Sequence, residues 1–300
     1  MDFVTGYEAD VGGLESERGV PPREFAGRTL AIATMHGKEA VIAPVLERRL
    51  GVRCVVPAGF DTDRFGTFSG EVARDGTPRE VARRKARAAM RSTGTRLAVA
   101  SEGSFGPDPR APIVTLAHEL VLLVDDEHGL EIAGEDVGHD TNHGERHCAD
   151  LAAVEAFVDR LGFPSHGVIL ASPDVPREFA KGIGDLVELR SKATLWLERH
   201  GGVVVSSDLR ACHNPTRMAA IGRAAAALAA RCVSRCPRCE RPGFGRVDVV
   251  DGLPCADCDA PTGLVRTVVD GCAACDHRAE GPRPDGRTVA DPANCPRCNP

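Results

Sequence analysis

The chain has 300 residues, of which 42% are hydrophobic, with a net charge of −6 and twelve cysteines. This length can bury a substantial core and predicts about two domains. The acidic balance argues against nucleic acid as the main partner, although it does not exclude a local basic patch. No stretch approaches the roughly 20 apolar residues of a membrane helix, and the first residues contain no apolar signal core. We therefore expect a cytoplasmic protein with no membrane partner.

Alternating strands and helices begin after a lead-in, residues 1–25, that is rich in Gly, Glu and Pro and predicts a flexible segment. Apolar spacing indicates strands at 29–34, 52–57, 97–100, 114–126, 130–133, 166–171 and 202–206. The same criterion, with N-caps before Pro78 and Pro215, indicates helices at 39–50, 78–90, 151–161, 184–200 and 215–232. The class is therefore α/β, with a mixed central sheet flanked by helices over residues 26–232.

The sequence changes after residue 232, where short Gly- and Pro-rich segments surround four Cys-x-x-Cys pairs. Each pair can direct two thiolates at one ion, and two pairs complete a tetrahedral set. Residues 233–300 are thus predicted to be a small zinc-ribbon domain with two structural Zn²⁺ ions. We expect neighbouring pairs to share an ion, while interleaved pairing uses the same residues and stays open. The predicted ligands are Cys236, Cys239, Cys255, Cys258, Cys272, Cys275, Cys295 and Cys298.

Four short motifs follow one another between residues 29 and 106. They are the turn from Ala33 to Lys38, the GTFSG stretch at 66–70, Glu80-x-Ala82-x-x-Lys85-Ala86, and Ser101-Glu102-Gly103-Ser104. In this order they resemble the inosine/xanthosine triphosphate pyrophosphatases, a family of house-cleaning nucleotide hydrolases with A-T-x-N-x-x-K, E-N-A-x-x-K-A and acidic Ser-Gly or Gly-Gly motifs. The chain departs from that pattern where Met35-His36 and Val81 replace asparagines and where Glu102 stands as a lone acid.

The resemblance implies Mg²⁺-dependent hydrolysis of a nucleoside triphosphate to its monophosphate and pyrophosphate. Such a reaction needs a hard cation on oxygen ligands and positive charge at the phosphates. Glu80 and Glu102 are then the candidate metal ligands, while Lys38 and Lys85 contact the phosphates. Further candidate substrate contacts in these motifs are Thr34, His36, Ser101 and Ser104. The alternative for Glu80 is a surface ion pair with Arg84, four residues on.

Two polar segments lie outside these motifs. Arg210, His213 and Arg217 follow a predicted strand, and ligands gather at the carboxyl ends of strands in α/β sheets, so these side chains are candidates for phosphate or base contacts. Capping by the neighbouring Asn214, with surface arginines, is the alternative. His139, His143 and His147 are spaced for one face of a helix, but the glycines among them indicate a polar loop instead of a third metal site.

Two functions remain as hypotheses. The first is a hydrolase acting on a small-molecule nucleotide, with a zinc-ribbon tail that is structural or binds a protein partner. The tail carries nine arginines against ten acidic residues, which favours those roles over nucleic-acid binding. The second is a non-enzymatic zinc-ribbon adaptor or nucleotide- or RNA-binding protein.

Overall fold

The computed structural model describes residues 20–66, 75–109 and 111–300, except for the side chain of Asp63. The helices are α1 (Glu39–Leu50), α2 (Pro78–Thr93), α3 (Leu151–Arg160), α4 (Leu186–His200) and α5 (Pro215–Val233). A first sheet contains β1 (Thr29–Ala33), β2 (Arg53–Val55), β3 (Leu97–Pro107), β4 (Thr115–Asp125) and β5 (Leu130–Gly138). A second contains β6 (Glu145–Cys148), β7 (Val168–Ala171), β8 (Phe179–Ile183) and β9 (Val203–Ser207), and a third β10 (Gly245–Asp251), β11 (Val265–Gly271) and β12 (Arg278–Pro282).

The first sheet has the strand order β2-β1-β3-β4-β5. β1 runs parallel to both β2 and β3, whereas β3, β4 and β5 are joined antiparallel. α1 and α5 bury their apolar residues against one face, and α2 packs its alanines against the other. The predicted α/β class, with a Cys-rich segment at the end, is confirmed at this level.

Local sequence explains where the helices begin. The Thr77 side chain accepts a hydrogen bond from the Glu80 backbone N–H at 3.3 Å, and the Glu80 carboxylate accepts one from the Thr77 N–H at 2.7 Å. This capping box, with Pro78 in the first turn, satisfies donors that would otherwise lack partners. Asn214 caps α5 in the same way by accepting from the Arg217 N–H at 2.9 Å, so both predicted starts are correct.

The single central sheet predicted for residues 26–232 is wrong, because β6 to β9 form a separate antiparallel sheet in the order β6-β9-β7-β8. It has its own core, in which Phe157 of α3 and Trp196 of α4 pack on the strands. β6 lies inside the polar loop predicted around His139, His143 and His147. β8 was not predicted because its sequence, Phe-Ala-Lys-Gly-Ile, does not alternate between apolar and polar residues. β3 also continues through residues 101–107, paired with β4 along its whole length.

Both ends of this α/β part contact the Cys-rich segment. The flexible segment predicted for residues 1–25 lies mostly outside the described residues, but its last residue, Phe25, is fully buried in the core of the first sheet. Arg235 forms an ion pair with Glu24 at 2.9 Å just beyond the end of α5. Ala273 of the Cys-rich segment packs against the same core as Phe25. Within the described ranges, no helix is long and apolar enough to cross a bilayer.

We expect Gly134→Ala to destabilise the protein, because a Cβ at Gly134 would overlap the backbone N of Leu228 and the carbonyl O of Ala224 in α5. Both α5 residues are fully buried, so the helix cannot retreat without unpacking. Overpacking of this kind costs about 1–3 kcal/mol, occasionally more. The free energy of unfolding, measured with urea, tests this.

Gly138→Ala is the matched control, since Gly138 ends the same strand and a Cβ there meets nothing within 4 Å. Its expected effect is within about 0.5 kcal/mol. Equal stabilities of the two variants would contradict the close approach of α5 to β5.

Candidate functional site

The carboxyl ends of β1 and β3 hold a group of buried polar side chains. β1 stops at Ala33, while the parallel strand β3 continues past it, so Ser101 and Glu102 lie beyond the last paired residue of β1. Thr34 and Lys38, in the turn from β1 to α1, are both buried. Lys38 Nζ donates a hydrogen bond to Ser101 Oγ at 2.9 Å. Predicted residues from two motifs are thereby in direct contact.

Lys38 is in an unusual electrostatic position. Lys38 is the N-cap residue of α1, and only 8% of it is exposed. Burial, followed by the positive charge of Arg217, lowers the pKa of Lys38 to about 7, against the opposing effect of Glu119 and Glu102. A lysine that exchanges its proton near neutral pH is typical of functional sites, because structural lysines remain charged there.

A buried ion pair lies on the same face of the sheet as Lys38. Arg217, in the first turn of α5, donates from Nε to Oε1 of Glu119 on β4 at 2.6 Å, and it also donates to the carbonyl of Leu209. Only 4% of Arg217 and 1% of Glu119 are exposed. Gly103 is the register partner of Glu119, and a Cβ there would overlap Glu119 Oε1. The glycine of the Ser101–Ser104 motif therefore makes room for this ion pair.

Lys85 and Glu102 form an ion pair on the opposite face of the sheet. Both are buried, with Lys85 on the sheet-facing side of α2. Because successive residues of a strand point to opposite faces, Ser101 faces α1 and Glu102 faces α2. Ser104 lies further along β3, opposite His118 in the register, and is half-buried. Two charged pairs thus flank β3 where β1 ends.

Glu80 does not join this group. It is exposed, and its carboxylate accepts hydrogen bonds from the N–H and hydroxyl of Thr77, which lower the pKa of Glu80. The predicted role of Glu80 as a metal ligand beside Glu102 is corrected, since residues five apart on a helix are roughly 140° apart around its axis. Lys85 therefore faces the sheet while Glu80 faces away. Arg84 donates to the Asp75 carbonyl, and it forms no direct ion pair with Glu80, although its charge also lowers the pKa of Glu80.

A second polar group follows β9. Asp208 is fully buried and accepts from the Gly182 N–H at 2.9 Å and from Arg210 at 2.6 Å. Although burial opposes it, hydrogen bonding from Arg210 lowers the pKa of Asp208. A Cβ at Gly182 would lie 3.1 Å from Nε2 of His213, so Arg210 and His213 share one surface beside this glycine.

The two polar groups are connected. Cys212 Sγ lies 3.8 Å from Nδ1 of His36, and the contact from Arg217 to Leu209 joins α5 to the segment after β9. The structure therefore brings His36 and Thr34 into one region with Arg217 and the Arg210 turn. The GTFSG stretch lies outside the described residues apart from Gly66.

Two pockets open beside these groups. One of about 430 Å³ is lined by Thr34, Gly37 and Phe60, and one of about 270 Å³ is lined by His143, Asp208 and Arg210. Small-molecule sites typically enclose about 300–1,000 Å³. The first pocket lies within that range and the second just below it.

The three spaced histidines are separated in the structure. His139 contacts Asp108 at 2.7 Å, His143 stacks on Phe105 with 6.1 Å between ring centroids, and His147 lies on β6. Among the described residues, the groups able to hold a metal ion contain none of them. The loop predicted for this segment ends at β6. Because β6 pairs with β9, His147 is separated from His139 and His143.

Glu119 was missed by the motif analysis. Its signal in the sequence is a single acidic residue inside the long apolar run of β4, between Leu116 and Val124. A carboxylate in a strand that is buried on both faces needs a buried partner. The partner, Arg217, is 98 positions away, so sequence alone could flag Glu119 but not pair it.

The eight predicted cysteine ligands form two groups of four, and their ligand atoms lie within 4.8 Å of one another in each. The groups are Cys236, Cys239, Cys272 and Cys275, and Cys255, Cys258, Cys295 and Cys298. Each could hold a metal ion. The expected sharing between neighbouring pairs is wrong, because the β10–β11 hairpin places Gly245 opposite Gly271 and so brings the turn before β10 against the turn after β11. The turn that carries Cys255 and Cys258 lies at the other end of this hairpin, where the backbone of Cys255 forms a β-bridge with Ala290.

Metal counting on double variants tests the interleaved arrangement. We expect two ions per chain in the zinc-loaded wild type, one in Cys236→Ser/Cys272→Ser, and none in Cys236→Ser/Cys255→Ser, because three thiolates no longer complete a tetrahedral site. Mass-spectrometric metal analysis after desalting gives the counts. The control is Cys212→Ser, which replaces an exposed cysteine outside both groups and should keep two ions per chain. Reversed counts for the two double variants would show sequential sharing.

The lowered pKa of Lys38 predicts a pH-dependent stability. Between its folded pKa of about 7 and the ordinary value of 10.5, the unfolded chain binds a proton that the folded chain does not, so stability rises with pH in this window. Relative to Lys38→Met, the free energy of unfolding of the wild type should increase by up to about 1.4 kcal/mol per pH unit. Urea unfolding between pH 7 and 10 measures the difference. Lys192→Met on α4 is the control, and a wild-type curve parallel to that of Lys38→Met would contradict the assignment.

Comparison with known proteins identifies a family but no activity. None of the curated proteins matches this chain. A family model described as a domain of unknown function, DUF6671, matches residues 85–300, a stretch that contains Lys85, Glu102, Glu119, Arg217 and both cysteine groups. Lys38 and Glu80 precede it. Since the match extends over well more than half of the chain, the protein belongs to the DUF6671 family.

Proposed function

We propose that the protein is a Mg²⁺-dependent hydrolase of the nucleoside triphosphate pyrophosphatase type, releasing pyrophosphate from a small-molecule nucleotide. The observation that carries the proposal is the buried group at the ends of β1 and β3, in which Lys38 contacts Ser101 between the Arg217–Glu119 and Lys85–Glu102 pairs. Three of the four catalytic residues implied by the resemblance belong to this group. Glu80 does not.

Lys38 and Arg217 supply the positive charge for the phosphates. Both lie on the α1 face of the sheet, and Lys38 stands at the positive end of the α1 dipole, where anions are stabilised. An anion arriving beside Lys38 would also raise its pKa back toward the ordinary value. Substrate binding above neutral pH should therefore take up a proton, which links the lowered pKa of Lys38 to its role.

Glu102 is the candidate Mg²⁺ ligand, and Lys85 is its positioning residue. Bound Mg²⁺ would withdraw charge from the phosphate oxygens and orient the attacking water. A single protein carboxylate fits this ion, because Mg²⁺ commonly keeps water and substrate phosphates as its other ligands. Lys85 holds the Glu102 carboxylate through the buried ion pair and compensates its charge in the free protein.

The two cysteine groups fit structural Zn²⁺. Four thiolates in a tetrahedral set are typical of closed zinc sites. The segment buries few large apolar side chains, with Leu253 and Val269 as the aliphatic examples, so metal ions would replace a hydrophobic core. We propose that the resulting module is structural and presents a surface to other molecules.

A pyrophosphate-release assay tests the hydrolase. Purified zinc-loaded protein with Mg²⁺ is offered a panel of canonical and deaminated nucleoside triphosphates. We expect release from at least one of them, reduced about 100-fold or more by Glu102→Gln and by Lys38→Ala, since electrostatic groups at a phosphoryl centre have effects of this order.

Glu198→Gln, an exposed carboxylate on α4, is the matched control and should keep full activity. Glu80→Gln separates the two metal-ligand sets: a large loss with Glu80→Gln and none with Glu102→Gln would contradict the assignment. Nucleotide binding without pyrophosphate release from any substrate would overturn the hydrolase in favour of a nucleotide-binding adaptor.

A further inference from the structure

A pocket of about 770 Å³ lies along the outer edge of β5, away from the site at β1 and β3. β5 is the last strand of the first sheet, so no further strand from the described residues covers this edge. α2 borders the pocket with Arg79 and Arg83, α5 borders it with Ala230 and Arg231, and the start of β10 closes it. We call this the edge pocket. Its volume falls within the range of small-molecule sites.

The acidic side chains around the edge pocket already have partners. Glu131 binds Arg83 through two hydrogen bonds of 2.6 and 2.7 Å, and Asp136 binds Arg223 at 2.8 and 2.9 Å. Glu135 contacts His118 at 3.1 Å. Each of these carboxylates thus has a hydrogen-bond partner other than Arg79 or Arg231, while the charges of both arginines also lower the pKa of Glu135.

Arg79 and Arg231 form no direct ion pair within the described ranges. Arg231 donates only to the carbonyls of Gly243 at 3.3 Å and Ala133 at 3.4 Å, and in the described part of the chain no acidic group lies within ion-pair distance of it or of Arg79. Burial, and then the like charge of Arg79, lowers the pKa of Arg231 against the opposing effect of Glu135 and Asp270. Two guanidinium groups that repel each other across a pocket are stabilised by an anion between them.

The aromatic wall of the edge pocket is the side chain of Phe244. Its ring stacks on His277, with 5.7 Å between centroids and 19° between planes, so it is held in place. A planar ligand can stack on such a ring while its anionic group reaches the arginines.

We propose that the edge pocket binds a phosphate-bearing small molecule with a planar ring, of the nucleoside monophosphate class. Arg79 and Arg231 take the phosphate, and Phe244 contacts the ring. A phosphate, with a charge near −2, matches two arginines, whereas a carboxylate would leave one uncompensated. This site shares no residue with the proposed hydrolase and does not rest on that function.

The first cysteine group forms part of the pocket wall. Cys272 and the adjacent Ala273 line it, and a Cβ at Gly243 would lie 2.7 Å from Ala273 and 2.9 Å from Ile132 of β5. Metal at this group would keep the β10 wall against the sheet. Ligand binding at the edge pocket should therefore fall after chelation.

Calorimetric titration of the full-length, zinc-loaded chain with adenosine monophosphate tests the edge pocket. We expect saturable binding that Arg79→Met and Arg231→Met each weaken about tenfold or more, the effect of losing one charge-assisted hydrogen bond. Phe244→Ala should weaken the nucleotide while leaving inorganic phosphate unchanged. Arg91→Met, an exposed arginine in the last turn of α2 outside the pocket, is the matched control.

Several outcomes would overturn the proposed ligand site in the edge pocket. These are no saturable binding, affinities unchanged in both arginine variants, or acetate binding as tightly as phosphate. Binding lost in Lys38→Ala but kept in the arginine variants would assign the nucleotide to the other site. Arg79→Met keeps the test valid should Arg231→Met fail to fold, since Arg79 is exposed. Failure of pyrophosphate release leaves the expected titration unchanged, so the two proposals fail separately.

Discussion

The rest of the structure depends on the close packing of α5 against the first sheet. Its first turn carries Arg217 to Glu119, its middle lies directly on Gly134 of β5, and its last turn brings Arg231 to the edge of that strand. One helix thereby joins the polar group at the ends of β1 and β3 to the cysteine-rich segment. A shift of α5 would disturb both ends together, because tightly packed interiors transmit strain.

Two charged pairs are buried at the end of β3. Replacing a buried ion pair by apolar residues of similar volume is often neutral or stabilising, so such pairs are weak devices for stability alone. Here two of them, Arg217–Glu119 and Lys85–Glu102, lie on opposite faces of the same strand end, with Lys38 beside the first. Strongly shifted pKa values, such as that of Lys38, cluster at functional sites. That convergence is the physical basis of the hydrolase proposal.

The cysteine-rich segment forms one side of the edge pocket in addition to its own small sheet. Its first group of cysteines packs through Ala273 on the core of the first sheet, while the second group lies at the far end of the β10–β11 hairpin. Disrupting one cysteine group should therefore have different consequences from disrupting the other. Only the first group lines the edge pocket, together with Arg79 and Arg231.

The sequence by itself determined the local features: the capped starts of α2 and α5, the α/β class, and the eight cysteines in four turns. These depend on neighbours within a few positions, where propensity and spacing act directly. Only the tertiary structure decided which turns share an ion, since the hairpin register brings Cys236 to Cys275 across 39 positions. It also decided that Glu119, and not Glu80, is buried near Lys38, because helix phase and strand register over long separations set which carboxylate faces inward.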